Sequence, residues 1–109
     1  MGELTECIVG WTTVSTEQVA SQLAKSLVEE GLATCVQIDS GVRSYYKWEG
    51  KLASEEEVRL WVKTTEKNAF KINDTFEGNH PYDTPQWIWM RSDGGNPLYH
   101  EWVRNSVSQ

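Results

Sequence analysis

Basic residues are scarce in this chain, and so are cysteine, proline and long apolar runs. Ten Lys and Arg stand against 16 Asp and Glu, a net charge of −6 at pH 7. Nucleic acid repels such a chain unless its basic residues cluster, and no stretch is dense in them, so no nucleic-acid partner is expected. Cys7 and Cys35 are the only cysteines, too few for a disulfide scaffold, so the expectation is a cytoplasmic protein with reduced thiols. No apolar run approaches the roughly 20 residues of a membrane span, so no membrane partner is expected. The start, Met1-Gly2-Glu3-Leu4-Thr5-Glu6, lacks the cationic and apolar regions of a signal peptide, and Glu6 stands where a myristoylation site needs Ser or Thr. No nucleophile–base motif, glycine-rich phosphate loop or metal-hydrolase spacing is found, so the expectation is not an enzyme. Repeats, linkers and low-complexity segments are missing too, and residues 1–109 read as a single domain.

Tryptophan, in contrast, is abundant, at positions 11, 48, 61, 87, 89 and 102. A buried aromatic side chain hides about 150–250 Å². Six are more than one small core easily holds, so some are expected at a subunit interface or in a pocket wall.

Residues 44–65 organise the rest. An aromatic arm, Tyr45, Tyr46 and Trp48, leads into Glu49-Gly50-Lys51, where Gly50 can take positive φ at no steric cost. The returning arm alternates. Val58, Leu60 and Val62 share one parity, and Glu57, Arg59, Trp61 and Lys63 share the other. A period of two predicts a strand with an aliphatic core face and a second face mixing tryptophan with charge. Glu55-Glu56-Glu57 reads as a solvated strand start that guards an edge.

Around this hairpin the chain reads in order. Residues 6–12 form a first strand. Ser15, with Gln18 three residues on, is the expected N-cap of a helix carrying Val19, Ala20, Leu23, Ala24, Leu27 and Val28, ended by Gly31. Residues 32–39 form a second strand, with a bulge expected at Ser40-Gly41, and 55–65 a third. Residues 66–76 form a second helix with Ala69, Ile72 and Phe76 inward. His80-Pro81-Tyr82-Asp83-Thr84-Pro85 is an ordered loop, because its prolines restrict the backbone. Residues 86–90, apolar on both parities, read as a strand buried on both faces. Asn96 caps a last helix beginning at Pro97, with Tyr99, Trp102 and Val103 inward and His100 outward. The fold class is α+β: a ferredoxin-like β-α-β-β-α-β sandwich with an added C-terminal helix. Both main helices cover one sheet face. The other face is left open yet carries Trp61 and parts of the tryptophan-rich fourth strand, which marks it as an assembly surface.

Three stretches then coincide: Ser44-x-Tyr46-x-Trp48-x-Gly50-Lys51, Lys63-Thr64-Thr65 and His80-Pro81-Tyr82-x-x-Pro85. With Ala33-x-Cys35-Val36 before them and Trp102 after, the chain resembles the CutA divalent-cation tolerance family. The resemblance implies a ferredoxin-like subunit in a tight homotrimer, linked to copper and other divalent metals. Family copper ligands are a cysteine near the end of strand one and two adjacent histidines before Pro-Tyr. Those places hold Trp11, Asn79 and His80 here, so His80 is the expected metal ligand, with Cys35 its helper, Cys7 a weaker candidate, and Cu²⁺ or another divalent cation weakly bound. A second reading is a small-molecule or nucleotide sensor similar to the PII trimers. Its ligand cleft between subunits would be lined by Tyr46, Trp48, Lys63, His80 and Tyr82.

Overall fold

A computed structural model describes residues 6–109; the myristoylation-like start read at Met1-Gly2 lies outside the described residues. The elements are β1 (Cys7–Val14), α1 (Glu17–Glu29), β2 (Cys35–Trp48), β3 (Lys51–Thr65), α2 (Glu66–Phe76), β4 (Ile88–Arg91) and α3 (Pro97–Asn105). The four strands form one antiparallel sheet in the order β2-β3-β1-β4. No helix among the described residues is long and apolar enough to cross a membrane.

The alternation of β3 divides the molecule. Val58, Leu60, Val62 and Thr64 face α1 and α2, and they pair with Val14, Thr12, Gly10 and Ile8 of β1. Leu27, Ala33, Val62, Ile72 and Phe76 form one buried cluster, and Val14, Ala20, Val58 and Leu60 a second. Ala69, Ile72 and Phe76 are buried as the helical spacing predicts. Gly10 belongs to this face because a Cβ there would lie 2.7 Å from the Trp87 ring that packs over β1. The opposite face carries Val9, Trp11 and Thr13 of β1 and Arg59, Trp61 and Lys63 of β3.

β2 and β3 run far beyond the sheet as a two-stranded arm, because β1 pairs β3 only from Val58 to Thr65. The turn is Glu49-Gly50, with φ of 51° and 78°. Two positive φ values in a two-residue loop suit the twist of the strands. The expected bulge falls between Asp39 and Val42. It has a consequence for faces. Up to Asp39 the odd residues of β2 share the open face with Arg59 and Trp61. Beyond the bulge the even ones do, so Ser44, Tyr46 and Trp48 stand beside Ala53, Glu55 and Glu57.

Several expectations need correction. The N-cap of α1 is Thr16, whose hydroxyl accepts the Val19 N–H at 3.2 Å, and not Ser15. β3 begins at Lys51 rather than residue 55, because the arm stays paired to its turn. β4 is a short edge strand, and its Ile88 and Met90 are exposed rather than buried on both faces. On α3 only Val103 is buried; Tyr99 and Trp102 are exposed. His100 is half-buried, with Nε2 at 3.0 Å from Ser92 Oγ, instead of solvated. None of the six tryptophans is fully buried in the subunit.

The cap assignment predicts that Thr16→Ala lowers stability by about 1 kcal/mol while Ser15→Ala has no measurable effect. Urea denaturation of the two variants checks this; the reverse order would restore Ser15 as the cap.

Candidate functional site

The His80–Gln86 loop crosses the edge of β1 that β4 leaves unpaired, since β4 reaches only Ile8–Trp11. His80 holds its helix-side end. The ring is 8% exposed and packs edge-on against Phe76, with centroids 4.9 Å apart. Its Nδ1 accepts the Tyr82 N–H at 3.0 Å, so Nε2 carries the proton and donates to Thr12 Oγ1 at 2.9 Å. Both ring nitrogens are therefore in use. Burial depresses the imidazole below its ordinary value of 6.5 and holds it neutral.

The loop then emerges on the open face, where Thr13 Oγ1 donates to Gln86 Oε1 at 3.4 Å. There Tyr82 donates its phenol to Glu57 Oε2 at 2.9 Å, and Ser44 Oγ donates to Glu57 Oε1 at 2.6 Å. Tyr46 donates to Glu55 Oε1. Burial first, and then the bond to Glu57, push the Tyr82 phenol far up; the Glu55 bond raises Tyr46. Both hydroxyls stay protonated as donors. Tyr46, Glu55, Glu57 and Tyr82 line a cavity of about 710 Å³, with Trp48 and Asp83 among its other walls. Its ionic groups are Glu55, Glu57 and Asp83; among the described residues no lysine, arginine or histidine lines it. Glu57 is 9% exposed and doubly hydrogen-bonded, which corrects its reading as solvated, whereas Glu55 and Glu56 are exposed as expected. Its parity with Arg59 and Trp61 was the available signal. Thr12 and Thr13 carried none, and Ser44 entered only as the first residue of the Ser44-x-Tyr46-x-Trp48 stretch.

The structure brings Tyr46, Trp48 and Tyr82 together and leaves Lys63 apart. Lys63 sits at the far end of the open face with its Nζ 5.6 Å from the Tyr99 ring centroid. Between the two ends, Trp61 donates its Nε1–H to Asp39 Oδ2 at 2.7 Å, Arg59 stacks on Trp61 and pairs with Asp39 at 3.2 Å, and Trp11 packs on Trp61 at 5.3 Å. The bonds from Trp61 and Arg59 lower the Asp39 carboxyl.

His80 and Cys35 do not meet. Cys35 pairs with Lys63 on the open face, whereas the His80 partner Thr12 pairs with Leu60 on the helix face. Within one subunit a metal cannot take thiolate and imidazole from opposite faces of the sheet. Cys7 is buried, with Sγ donating to the His100 carbonyl at 3.4 Å, and burial raises its thiol, so the thiolate a metal needs is disfavoured. Among the described residues no group of three or more His, Cys, Asp and Glu side chains is disposed to hold a metal ion by itself.

Residues 8–106 match the family model described as CutA1 divalent ion tolerance protein. The chain is 39% identical over 95 residues to the divalent-cation tolerance protein CutA of Thermus thermophilus, covering 87% of this chain and 92% of that one. It is 39% identical over 100 residues to the chloroplastic CutA of Arabidopsis thaliana, covering 92% of this chain but only 55% of that longer protein. The rice chloroplastic relative is likewise covered over 58% of its length. The crystal structure of CutA1 from Oryza sativa superposes with a TM-score of 0.91 at 37% identity, over 96% of this chain and 98% of that one. That of Thermus thermophilus gives 0.89 at 37%, over 94% and 99%.

The buried His80 makes stability depend on pH with a definite sign. Its folded value lies below the unfolded one, so the unfolded chain binds the extra proton. The stability due to neutral His80 is present above about pH 6.5 and is lost as pH falls below it, down to the depressed folded value. Urea melts between pH 7.5 and 5 should show this decline in wild type, and it should flatten in His80→Gln. An equal slope in both would assign the decline to other groups.

Proposed function

The chain belongs to the CutA1 divalent ion tolerance protein family, and we propose that it acts by weakly binding divalent cations at the acidic pocket of its arm, as one subunit of a homotrimer. The role is binding rather than catalysis. The observation that carries the reading is the pocket's charge. Glu55, Glu57 and Asp83 line one cavity that no basic side chain among the described residues lines, and since the three do not by themselves form a metal-holding group, water or a second copy would supply the remaining ligands. Carboxylate and hydroxyl oxygens suit hard cations such as Mn²⁺ and Mg²⁺, with Cu²⁺ accepted but not selected. The same charge disfavours a small anion held between Tyr46, Trp48 and Tyr82 of one subunit, because Lys63 of that subunit lines a second cavity, beside α3. Copper at His80 would require the ring to surrender a hydrogen bond: the one from the Tyr82 N–H for ligation at Nδ1, or the one to Thr12, with a change of tautomer, for ligation at Nε2.

Assembly is supported by what one subunit leaves uncovered. Tyr45, Trp48 and Leu52 on the arm are 67%, 66% and 77% exposed, and Ile88, Met90 and Trp102 are exposed near the open face. Apolar area on this scale marks an association surface. A second copy packed on the arm would also close the acidic pocket on its open side.

Two outcomes are expected. Calorimetric titration with Mn²⁺ should give a dissociation constant of about 0.1–1 mM, in the range of weakly charged oxygen sites. Glu57→Gln should weaken it about tenfold, and His80→Ala should leave it within about twofold if the fold survives. Binding insensitive to Glu57→Gln would place the cation elsewhere. Light scattering should return three times the 12.5 kDa chain mass, and Trp48→Ala should lower the melting temperature and favour smaller species. A monomer at micromolar concentration would contradict the assembly.

A further inference from the structure

Over residues 42–57, β2 and β3 form a two-stranded arm that no third strand among the described residues joins. A two-stranded hairpin is marginal by itself in water, so the arm needs cover. Tyr45, Trp48 and Leu52 are each more than half exposed along it. The acidic pocket lies on this uncovered length, with Trp48 in its wall beside Glu55, Glu57 and Asp83. A second copy laid on the arm therefore covers three carboxylates that no basic side chain of their own subunit, among the described residues, meets in the pocket. Ser44, Tyr46 and Tyr82 donate to Glu55 and Glu57, but neutral hydroxyls bring no countercharge. Taking ionised carboxylates out of water without one is strongly unfavourable. Conversely, the acidic residues of one subunit do not make up a metal-holding group by themselves. The covered pocket lacks a cation, and the cation lacks an enclosed site.

We propose that a divalent cation in the arm pocket and the second copy that covers the pocket are linked, so that cation binding drives assembly and assembly tightens cation binding. The cation supplies the countercharge that the covered carboxylates need. The second copy excludes water, which strengthens the attraction between cation and carboxylates. The coupling is the same in both directions. It rests on the arm pocket being the cation site. A ligand held only by the assembled state shifts the equilibrium by 1 + [L]/Kd at each site. At about ten times the dissociation constant this is about tenfold per site and about a thousandfold for three sites. A monomer–trimer constant varies as the square of the subunit concentration, so the midpoint of dissociation moves about thirtyfold.

Sedimentation velocity over a dilution series of the full chain tests this in EDTA, in Mn²⁺, and in NaCl of matching ionic strength, because salt alone screens the net charge. Mn²⁺ at about ten times its dissociation constant should lower the midpoint about thirtyfold beyond NaCl, and EDTA should reverse the change. If the trimer outlasts dilution, the urea midpoint of its dissociation is read in the same three buffers and should rise more in Mn²⁺ than in NaCl. Asp83→Asn combined with Glu55→Gln should assemble at lower concentration than wild type in EDTA and lose the response to Mn²⁺; should that variant fail to fold, the wild-type comparison decides alone. Equal midpoints in Mn²⁺ and NaCl, with Mn²⁺ binding still weakened by Glu57→Gln, would overturn the linkage and leave the pocket as the cation site. Assembly weakened by Mn²⁺ would overturn it too, the result expected if a basic side chain of the second copy already fills the pocket. Mn²⁺ binding indifferent to Glu57→Gln would remove the pocket as the cation site, and the linkage with it.

Discussion

A neutral imidazole fixed between two elements holds the described site in place. His80 is buried against Phe76, accepts from the Tyr82 backbone and donates to Thr12. Those two bonds stop the loop where it leaves the helix face, and the next residues carry it round the edge of β1. Tyr82 then reaches across to Glu57 and, with Ser44, pins that carboxylate in the arm pocket. A charged imidazole could not accept from Tyr82 N–H, so the ring's neutrality and the loop's path are one constraint. The residue that invites a metal assignment is better understood as the fastening that aims other oxygen donors.

The open face is graded in charge along a single strand. Glu55 and Glu57 stand midway along β3 and Lys63 near its end, about 20 Å from Glu57 at ~3.4 Å per residue. Arg59, Trp61 and Asp39 form a hydrogen-bonded, stacked block between them. Opposite charges at that distance are largely screened from each other at physiological salt. Each end therefore keeps its own character: carboxylates line the arm pocket, and Lys63 is the one Lys, Arg, Asp or Glu among the described residues that line the cavity beside α3.

Much of this was legible in the sequence, for physical reasons that differ by element. The alternation of Val58, Leu60 and Val62 with Glu57, Arg59, Trp61 and Lys63 placed both faces of β3 correctly, because a half-buried strand has no other way to arrange them. The α2 stripe and the Asn96-Pro97 helix start were equally direct. Parity beyond the bulge was not, since one extra residue reverses every side chain after it. That reversal brings Tyr46 and Ser44 beside Glu57. The separation of His80 from Cys35 depends on which face each strand pairing presents, which spacing along the chain does not encode. Ile88, Met90 and Trp102 looked like core by hydrophobicity, yet a sheet edge and a short outer helix leave them uncovered in one subunit. Ser15 and Thr16 are both good caps, and only the backbone geometry at Thr16 decides between them.

The central claim is that cations are met by the oxygens around Glu57 and not by His80 with Cys35. Paramagnetic broadening in an amide-resolved NMR spectrum, at substoichiometric Mn²⁺, tests it most directly. The account predicts that signals from residues 55–57 and 82–84 broaden first, while those of Cys35 and Lys63 stay sharp. Broadening centred on Cys35, or spread evenly over the acidic surface, would contradict it.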